Sequence, residues 1–433
     1  MIDIKLIRDN SKLVIDNMKK RHMTDKIHLV NSIMEKDEKW RSIKKQIDDL
    51  RQSRNELSKE INATKKNKDI SVGVHKLTEL FSKAKDIPKK IKVLETEETT
   101  LLSEINKVLS KLPNIMHDSV PRGKTEEDNV EIKKWGEIKE FHHPVLNHVR
   151  LIEDLGGADF NRSAELSGNG FYVLKGDLAL MNQALIRFAI DKMISKGYTY
   201  VEPPLMIRRR ILDAAMDTEG FDETIYQVND EDLNLIGTSE YSLLGLHEED
   251  AIEEERLPLK YFSYTMCFRK EIGSHGINEK GLWRTHQFNK IEQFIFCKPE
   301  ESYEIYEEMQ AITEEIFQDL KLPYRIVEIC SGDLSLWKSK SADMEVWRPT
   351  TESYGEITSL SNCTDFQARG LNIKVLRKDN EREVLHTLNN TALATSRALV
   401  GIIENFQNED GTITVPEVLR PYMGGVEFIK HMQ

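Results

Sequence analysis

Cysteine is scarce in this chain of 433 residues: only Cys267, Cys297, Cys330 and Cys363 occur, and no two are close in sequence. That spacing argues against a zinc ribbon and against a disulfide framework, and it leaves buried thiols in a reducing compartment. Long apolar runs are missing too. The first residues, MIDIKLIRDN, turn polar within a few positions, and no stretch reaches the roughly 20 apolar residues of a membrane span. Neither a signal peptide nor a spanning helix is therefore expected, and the chain reads as cytoplasmic. Basic charge is in deficit, with 61 Lys and Arg against 73 Asp and Glu, so a nucleic-acid partner would have to meet a local footprint. The length allows two or three domains and a sizeable core.

Glycine and tryptophan nearly vanish between Ile27 and Leu112, where only Gly73 and Trp40 occur. What fills the segment is Lys, Glu and a regular apolar seam. Ile33, Trp40, Ile43, Ile47, Leu50, Leu57 and Ile61 recur at coiled-coil steps, and Leu77, Leu80, Ala84, Ile87, Ile91, Leu94, Leu101, Ile105, Val108 and Leu112 resume them. The polar break NATKKNKDISVG between the runs predicts a reversal, giving a long antiparallel helical hairpin over about 27–112 within an N-terminal domain of 1–113. Pro88 removes a backbone donor inside the second run and is expected to kink or restart the helix. Arg54 and Glu98 fall on seam positions. From Lys59 to Lys92 ten lysines face four acidic residues. Lysines solvate many exposed coiled coils; the functional alternative is a phosphate-backbone contact surface.

Residues 114–135, which include RGKTEEDNVEIKKW, read as a charged linker into a second domain, 136–433. There, 176–195 has helical periodicity, GYTYVEPPL turns extended and stops at Pro203 and Pro204, and KYFSYTMCFR, NKIEQFIFC, YRIVEIC and LNIKVL alternate as strands. Two further helices are expected near 301–320 and 390–407. The fold class that follows is α+β: an antiparallel sheet flanked by helices, preceded by the helical arm.

The stretch FRKEIGSHGINEKGLWRTHQF carries the chemistry. Arg269 and Glu271 share a strand face with Cys267, and Phe288, Lys290 and Glu292 share one with Phe294 and Phe296. A hairpin of the two strands could present a guanidinium, carboxylates and a ring to a nucleotide. On spacing alone, an exposed sheet face with cross-strand ion pairs explains the same residues equally well.

The blocks taken together separate these readings. FRKEIGSHG followed by Arg284 and Phe288 resembles motif 2 of the class II aminoacyl-tRNA synthetases; GYTYVEPPL resembles motif 1, and TSRALVGIIENFQ resembles motif 3. GTSE at 237–240, HQFNKIEQF, MEVWRPT, SNCTDFQARG and VPEVLRPYM are similar to blocks of seryl-tRNA synthetases, as are HDSVP and VLKGDLALM in the middle of the chain, and that family's coiled-coil arm accounts for the N-terminal part. SHG and TSR look more like the archaeal and eukaryotic branches.

The resemblance implies ATP and Mg2+ as cofactors, a homodimer with Pro204 of motif 1 at its interface, and serine and tRNA(Ser) as substrates, with tRNA(Sec) a second candidate. It implies that Arg269 and Arg397 are the catalytic arginines. Arg269 would grip the α-phosphate, Arg284 the outer phosphates and Glu271 the adenine amine, while Phe288 and Arg397 would enclose the ring. Lys270, Ile357 and Thr358 complete the implied ATP set, and Glu356 and Ser359 would hold magnesium with it. Thr238 and Glu240 would receive the serine ammonium and Glu292 and Thr391 its hydroxyl, with Ser239, Arg269 and Asn389 completing the implied serine set. Thr391 would otherwise read as a helix cap, and Glu240 and Glu292 as members of surface ion pairs. Lys59, Lys65, Lys66, Lys68, Lys76, Lys83, Lys85, Lys89 and Lys90 are the arm's implied tRNA contacts. The chain departs from the commonest pattern at Ile277, Asn278, Glu279 and Lys280 of the loop expected to touch the tRNA acceptor end, at Trp283, at Gly355 and at Ser396. A catalytically silent or carrier-directed relative is the alternative, although it would be expected to lack the arm or the motif arginines.

Overall fold

The computed structural model describes residues 1–66, 70–271 and 280–432, without the side chains of 66, 70–76 and 219. The chain divides into two compact units: Asp3–Lys19 with Met23–Leu112, and Met1–Ile2 with Lys20–His22 and everything from Pro113 onward.

The first unit is built on two long helices, His28–Lys66 and Ile70–Leu109. Ile43 and Ile47 pack with Ile87, Ile91 and Leu101, which accounts for the seam periodicity. Each such burial contributes about 1.5–3 kcal/mol. Ion pairs Lys36–Glu104, Lys39–Glu97 and Arg51–Glu95 run in opposite directions along the two helices, so the pairing is antiparallel. These pairs are exposed and fix register more than stability. Arg8 forks onto Asp37, which Arg41 also reaches, tying the shorter helix Ile4–Lys20 to the base of the hairpin. Two expectations change. The helices consume most of the polar break, leaving only 67–69 between them, and the second helix runs on through Pro88 without restarting. Buried Ile87 and Ile91 anchor the backbone on both sides of that proline, so seam packing offsets a penalty of about 3 kcal/mol. Arg54 is exposed rather than in the seam. Lys59, Lys65, Lys83, Lys85, Lys89 and Lys90 are exposed as well; Lys68 and the side chains of Lys66 and Lys76 lie outside the described residues.

The second unit is organised by an eight-stranded sheet. Its strands in chain order are β1 (Val130–Trp135), β2 (Thr199–Tyr200), β3 (Leu259–Phe268), β4 (Gln287–Cys297), β5 (Tyr324–Glu328), β6 (Lys340–Arg348), β7 (Ser353–Thr364) and β8 (His386–Ala394). The spatial order is β1-β5-β6-β7-β8-β4-β3-β2, antiparallel at every pairing but the last, where β2 runs parallel to β3. Helices Gly176–Ser195, Ser302–Asp319 and Thr395–Asn405 bury their apolar sides in the same core as Ile291, Ile295, Met344, Leu360 and Leu388 of the sheet.

The stretch read as a linker is part of this unit. Val130–Trp135 is an edge strand paired with β5, and the Asn114 amide donates to the carbonyls of Trp337 and Cys363. The helix expected over 390–407 begins only at Thr395; 390–394 complete β8. LNNTALA has an apolar content that suits either state, and hydrogen bonding between β7 and β4 decides for the strand. All four cysteines are buried and free. Among the described residues, no helix is long and apolar enough to cross a membrane.

Candidate active site

The central strands β3, β4, β7 and β8 enclose, with the start of the helix Thr395–Asn405, a cavity of about 250 Å3. Arg269, Glu271, Arg284, Phe288, Glu292, Glu356, Ile357, Thr358, Ser359, Asn389, Thr391, Arg397, Thr238 and Glu240 all line it, so most of the residues implied by the sequence converge. Lys270 and Ser239 do not: the Lys270 ammonium lies over the Tyr226 ring, and Ser239 is buried in the short helix Ser239–Gly245.

Strict strand alternation cannot place Glu356 and Ser359 on one face, since they are an odd number of residues apart. A bulge in β7 between Glu356 and Thr358 shifts the register and lets both reach the cavity. A second bulge, between Thr391 and Leu393 of β8, does the same for Thr391 and Ala394. The antiparallel register of β3 and β4 sets Cys267 against Phe288 and Ser263 against Glu292.

One end of the cavity is cationic and aromatic. Arg269 is fixed by its Nε, which donates to the Gly237 carbonyl at 3.1 Å, and its guanidinium lies 5.3 Å from the centroid of the Phe288 ring. Arg284 is 3.5 Å from Glu271. Arg397 Nη1 donates to the Glu356 carbonyl at 2.7 Å and lies 3.3 Å from the Glu356 carboxylate. The Arg397 guanidinium holds the Glu356 carboxyl below the usual carboxylate range.

The other end is narrow and deeply polar. Lys290 and Glu292 form an ion pair at 2.5 Å with both side chains under 10% exposed, and Thr391 Oγ1 donates to Glu292 at 3.3 Å. Glu240 is buried; Gln367 Nε2 donates to it at 2.7 Å, and the Thr387 hydroxyl in turn fixes Gln367. Burial first, and the neighbouring Glu292 charge second, push the Glu240 carboxyl up to about 7. Thr238 caps the short helix, its hydroxyl accepting from the Glu240 N–H.

An adjoining hollow shares Arg269, Glu356 and Ser359 and adds Asp343. Asp343 lies opposite Ser359 in the β6–β7 register; one of its carboxylate oxygens is buried without a hydrogen bond, and burial beside Glu356 raises its pKa to about 7. Two carboxylates and a hydroxyl form a hard-oxygen donor set that suits a small divalent cation. Lys338 donates to Ser359 at 3.3 Å, and Arg21 supports its loop by donating to the carbonyls of Leu334, Ser335 and Lys338.

Asp343, Gln367 and Lys338 are not among the site residues that the sequence implies, and Lys290 is placed by spacing only on the strand face. No motif spacing points to Gln367 or Lys338. For Asp343, the alternation of SADMEVW was a usable signal. Pro204 is exposed, its carbonyl accepting from the Ser242 hydroxyl. Ile277, Asn278 and Glu279 lie outside the described residues.

A sheet with these crossings and an arginine-walled cavity at its centre defines a class II synthetase core, and residues 222–406 match the family model described as tRNA synthetase class II core domain (G, H, P, S and T). Residues 1–116 match that of the seryl-tRNA synthetase N-terminal domain. A serine–tRNA ligase of Methanocella arvoryzae is 44% identical over 99% of this chain and 100% of its own, and one of Pyrococcus horikoshii is 43% identical over 99% and 98%. The crystal structure of the Pyrococcus horikoshii seryl-tRNA synthetase complexed with ATP superposes with a TM-score of 0.91 over 100% of both chains at 43% identity. That of the cytoplasmic serine–tRNA ligase of Naegleria fowleri with AMP gives 0.87 at 34%, covering 100% of this chain and 99% of the other. The chain belongs to the seryl-tRNA synthetase family of class II aminoacyl-tRNA synthetases.

Proposed function

We propose that the protein is a cytoplasmic serine–tRNA ligase that joins serine to AMP with release of pyrophosphate and then passes the seryl group to the terminal adenosine of tRNA(Ser). The observation that carries this reading is the two-ended cavity: arginines and an aromatic ring at one end, and a small buried acidic pocket at the other. A carboxylate is already a nucleophile at neutral pH, so the first step needs no general base. Positioning and charge stabilisation have to supply the rate.

Arg269, at the cationic end, would hold both the serine carboxylate and the α-phosphate as the new C–O–P linkage forms and the bond to pyrophosphate breaks. Phe288 and Arg397 would enclose the adenine, Glu271 would accept from its amine, and Arg284 would meet the outer phosphates. Backbone groups at Ile357 and Thr358 would complete the wall. Glu356 and Ser359, with Asp343 beside them, fit magnesium bound with ATP; when bound, the ion would neutralise charge developing on pyrophosphate.

Glu240 and Thr238 would receive the ammonium. The hydroxyl would bond to Glu292 and Thr391, with Asn389 closing that side. Glycine or alanine would leave those buried acceptors unpaired, a discrimination that polar pockets make well. The exposed arm lysines Lys59, Lys65, Lys83, Lys85, Lys89 and Lys90 support a phosphate-contact role toward tRNA(Ser), and tRNA(Sec) shares that chemistry. A homodimer with Pro204 at its interface completes the reading. The silent or carrier-directed alternative is disfavoured because the arm, both arginines and both buried glutamates are present. Serine-dependent ATP–pyrophosphate exchange followed by charging of tRNA(Ser) tests the proposal; absence of exchange with serine overturns it.

A further inference from the structure

Two departures singled out in the sequence, Trp283 and Gly355, meet in space. A β-carbon built on Gly355 would lie 2.4 Å from Cζ2 of the Trp283 ring and 2.8 Å from its Cη2, so the indole occupies the room that any side chain at 355 would need. The Arg348 guanidinium lies 4.3 Å from the indole centroid, and that of Arg397 lies 5.5 Å from it. Arg397 Nε also faces the Trp283 carbonyl at 3.4 Å.

Behind the ring stands a rigid polar support. Arg348 donates through Nε and Nη2 to the two carboxylate oxygens of buried Glu404, and Thr350 donates to the same group. His148 Nδ1 is 3.0 Å from Glu404, while its Nε2 accepts from the Leu282 N–H at 3.2 Å. That second bond puts the imidazole proton on Nδ1, donated to Glu404. Trp283 is thus fixed twice: Leu282, the residue before it, is pinned to His148, and its ring lies against a guanidinium held by Glu404.

We propose that Trp283 is a positioning residue for Arg397: seated in the notch left by Gly355, its indole orients the guanidinium that faces the ATP end of the cavity. This rests on the ligase reading above. Two cations share one π surface, and each has its own carboxylate, Glu404 for Arg348 and Glu356 for Arg397. The ring can therefore attract both without leaving either charge unneutralised.

The test is ATP–pyrophosphate exchange on the full-length protein, with KM measured separately for ATP and for serine. Trp283→Leu should raise KM for ATP by about tenfold, the range of a desolvated cation–π contact, and leave KM for serine within about twofold. Trp283→Phe, which keeps a ring, should recover most of the loss. Gly355→Ala should act in the same direction by displacing the indole, and Trp283→Leu/Gly355→Ala should be no worse than Trp283→Leu alone, because the clash has lost its partner. The positioning role is overturned if KM for ATP is unchanged in Trp283→Leu, if both KM values rise together, or if the two single effects multiply in the double variant. Should Trp283→Leu fail to fold, Gly355→Ala carries the same split, with Trp283→Phe close to wild type as its control. Wild-type protein without serine-dependent exchange overturns the ligase reading itself, whereas wild-type exchange with the KM for ATP unchanged in the variants overturns only the role of Trp283.

Discussion

If serine occupies the acidic end of the cavity as proposed, Glu240 would make its binding depend on pH in a range where simple carboxylates no longer titrate. Its carboxyl is raised to about 7, by burial first and by Glu292 second. An arriving ammonium needs the ionised form. At pH 8 about nine tenths of the protein carries that charge, and at pH 6 about one tenth. Because apparent affinity scales with the competent fraction, the KM for serine should rise about tenfold from pH 8 to pH 6, while that for ATP shifts much less. The linkage has a matching sign in stability. The folded carboxyl lies above its unfolded value, so its contribution to stability is fully present below about pH 4.5 and is lost as pH rises through 7. Serine binding should therefore add more to Tm at pH 8 than at pH 6. Exchange kinetics at saturating ATP, with calorimetric titration of serine alone, measure the effect. Glu240→Gln keeps a hydrogen-bonding group but removes the titration, so its weaker serine affinity should stay flat with pH. A wild-type serine KM that is constant from pH 6 to pH 8, or a slope that survives in Glu240→Gln, would refute the reasoning.

Other perturbations probe the remaining parts. Lys290→Met strands the buried Glu292 charge, and chemical denaturation should report a loss of about 3–5 kcal/mol; a loss below about 1 kcal/mol would mean that the pair is solvated. Arg269→Ala should lower the rate of exchange by a factor of at least about 10²–10³, as removal of a preorganised charge stabiliser does, while the circular dichroism spectrum stays that of the wild type. Exchange within a few-fold of wild type would remove Arg269 from the reaction. Replacing Lys85, Lys89 and Lys90 together by Glu should raise KM for tRNA(Ser) and flatten its salt dependence with exchange untouched, and an unaltered salt slope would clear those lysines of phosphate contact.

What could be read from the sequence follows a physical division. Seam spacing was sufficient for the hairpin because a coiled coil is periodic and local, and strands β3 and β4 were legible because they are runs of 10 and 11 residues rich in aromatic and β-branched side chains, which pair with each other without a bulge. The motif residues could be named by type and spacing, yet the reason they can act together could not. Glu356 and Ser359 reach one cavity only because a bulge resets the alternation between them, and nothing in GEITS announces a bulge. Without the family resemblance Thr391 reads as a helix cap, whereas its strand lies between β7 and β4; strand pairing is decided by partners about 30 and 100 residues away, so local propensity cannot settle it. Gln367, Lys338 and the Lys290–Glu292 pair are of the same kind, since a side chain's partner across a sheet or loop is a tertiary fact. The clearest case is Gly355: as a sequence position it is merely a departure from the commonest pattern, and the indole of a residue 72 positions earlier explains why a hydrogen atom is all that fits there.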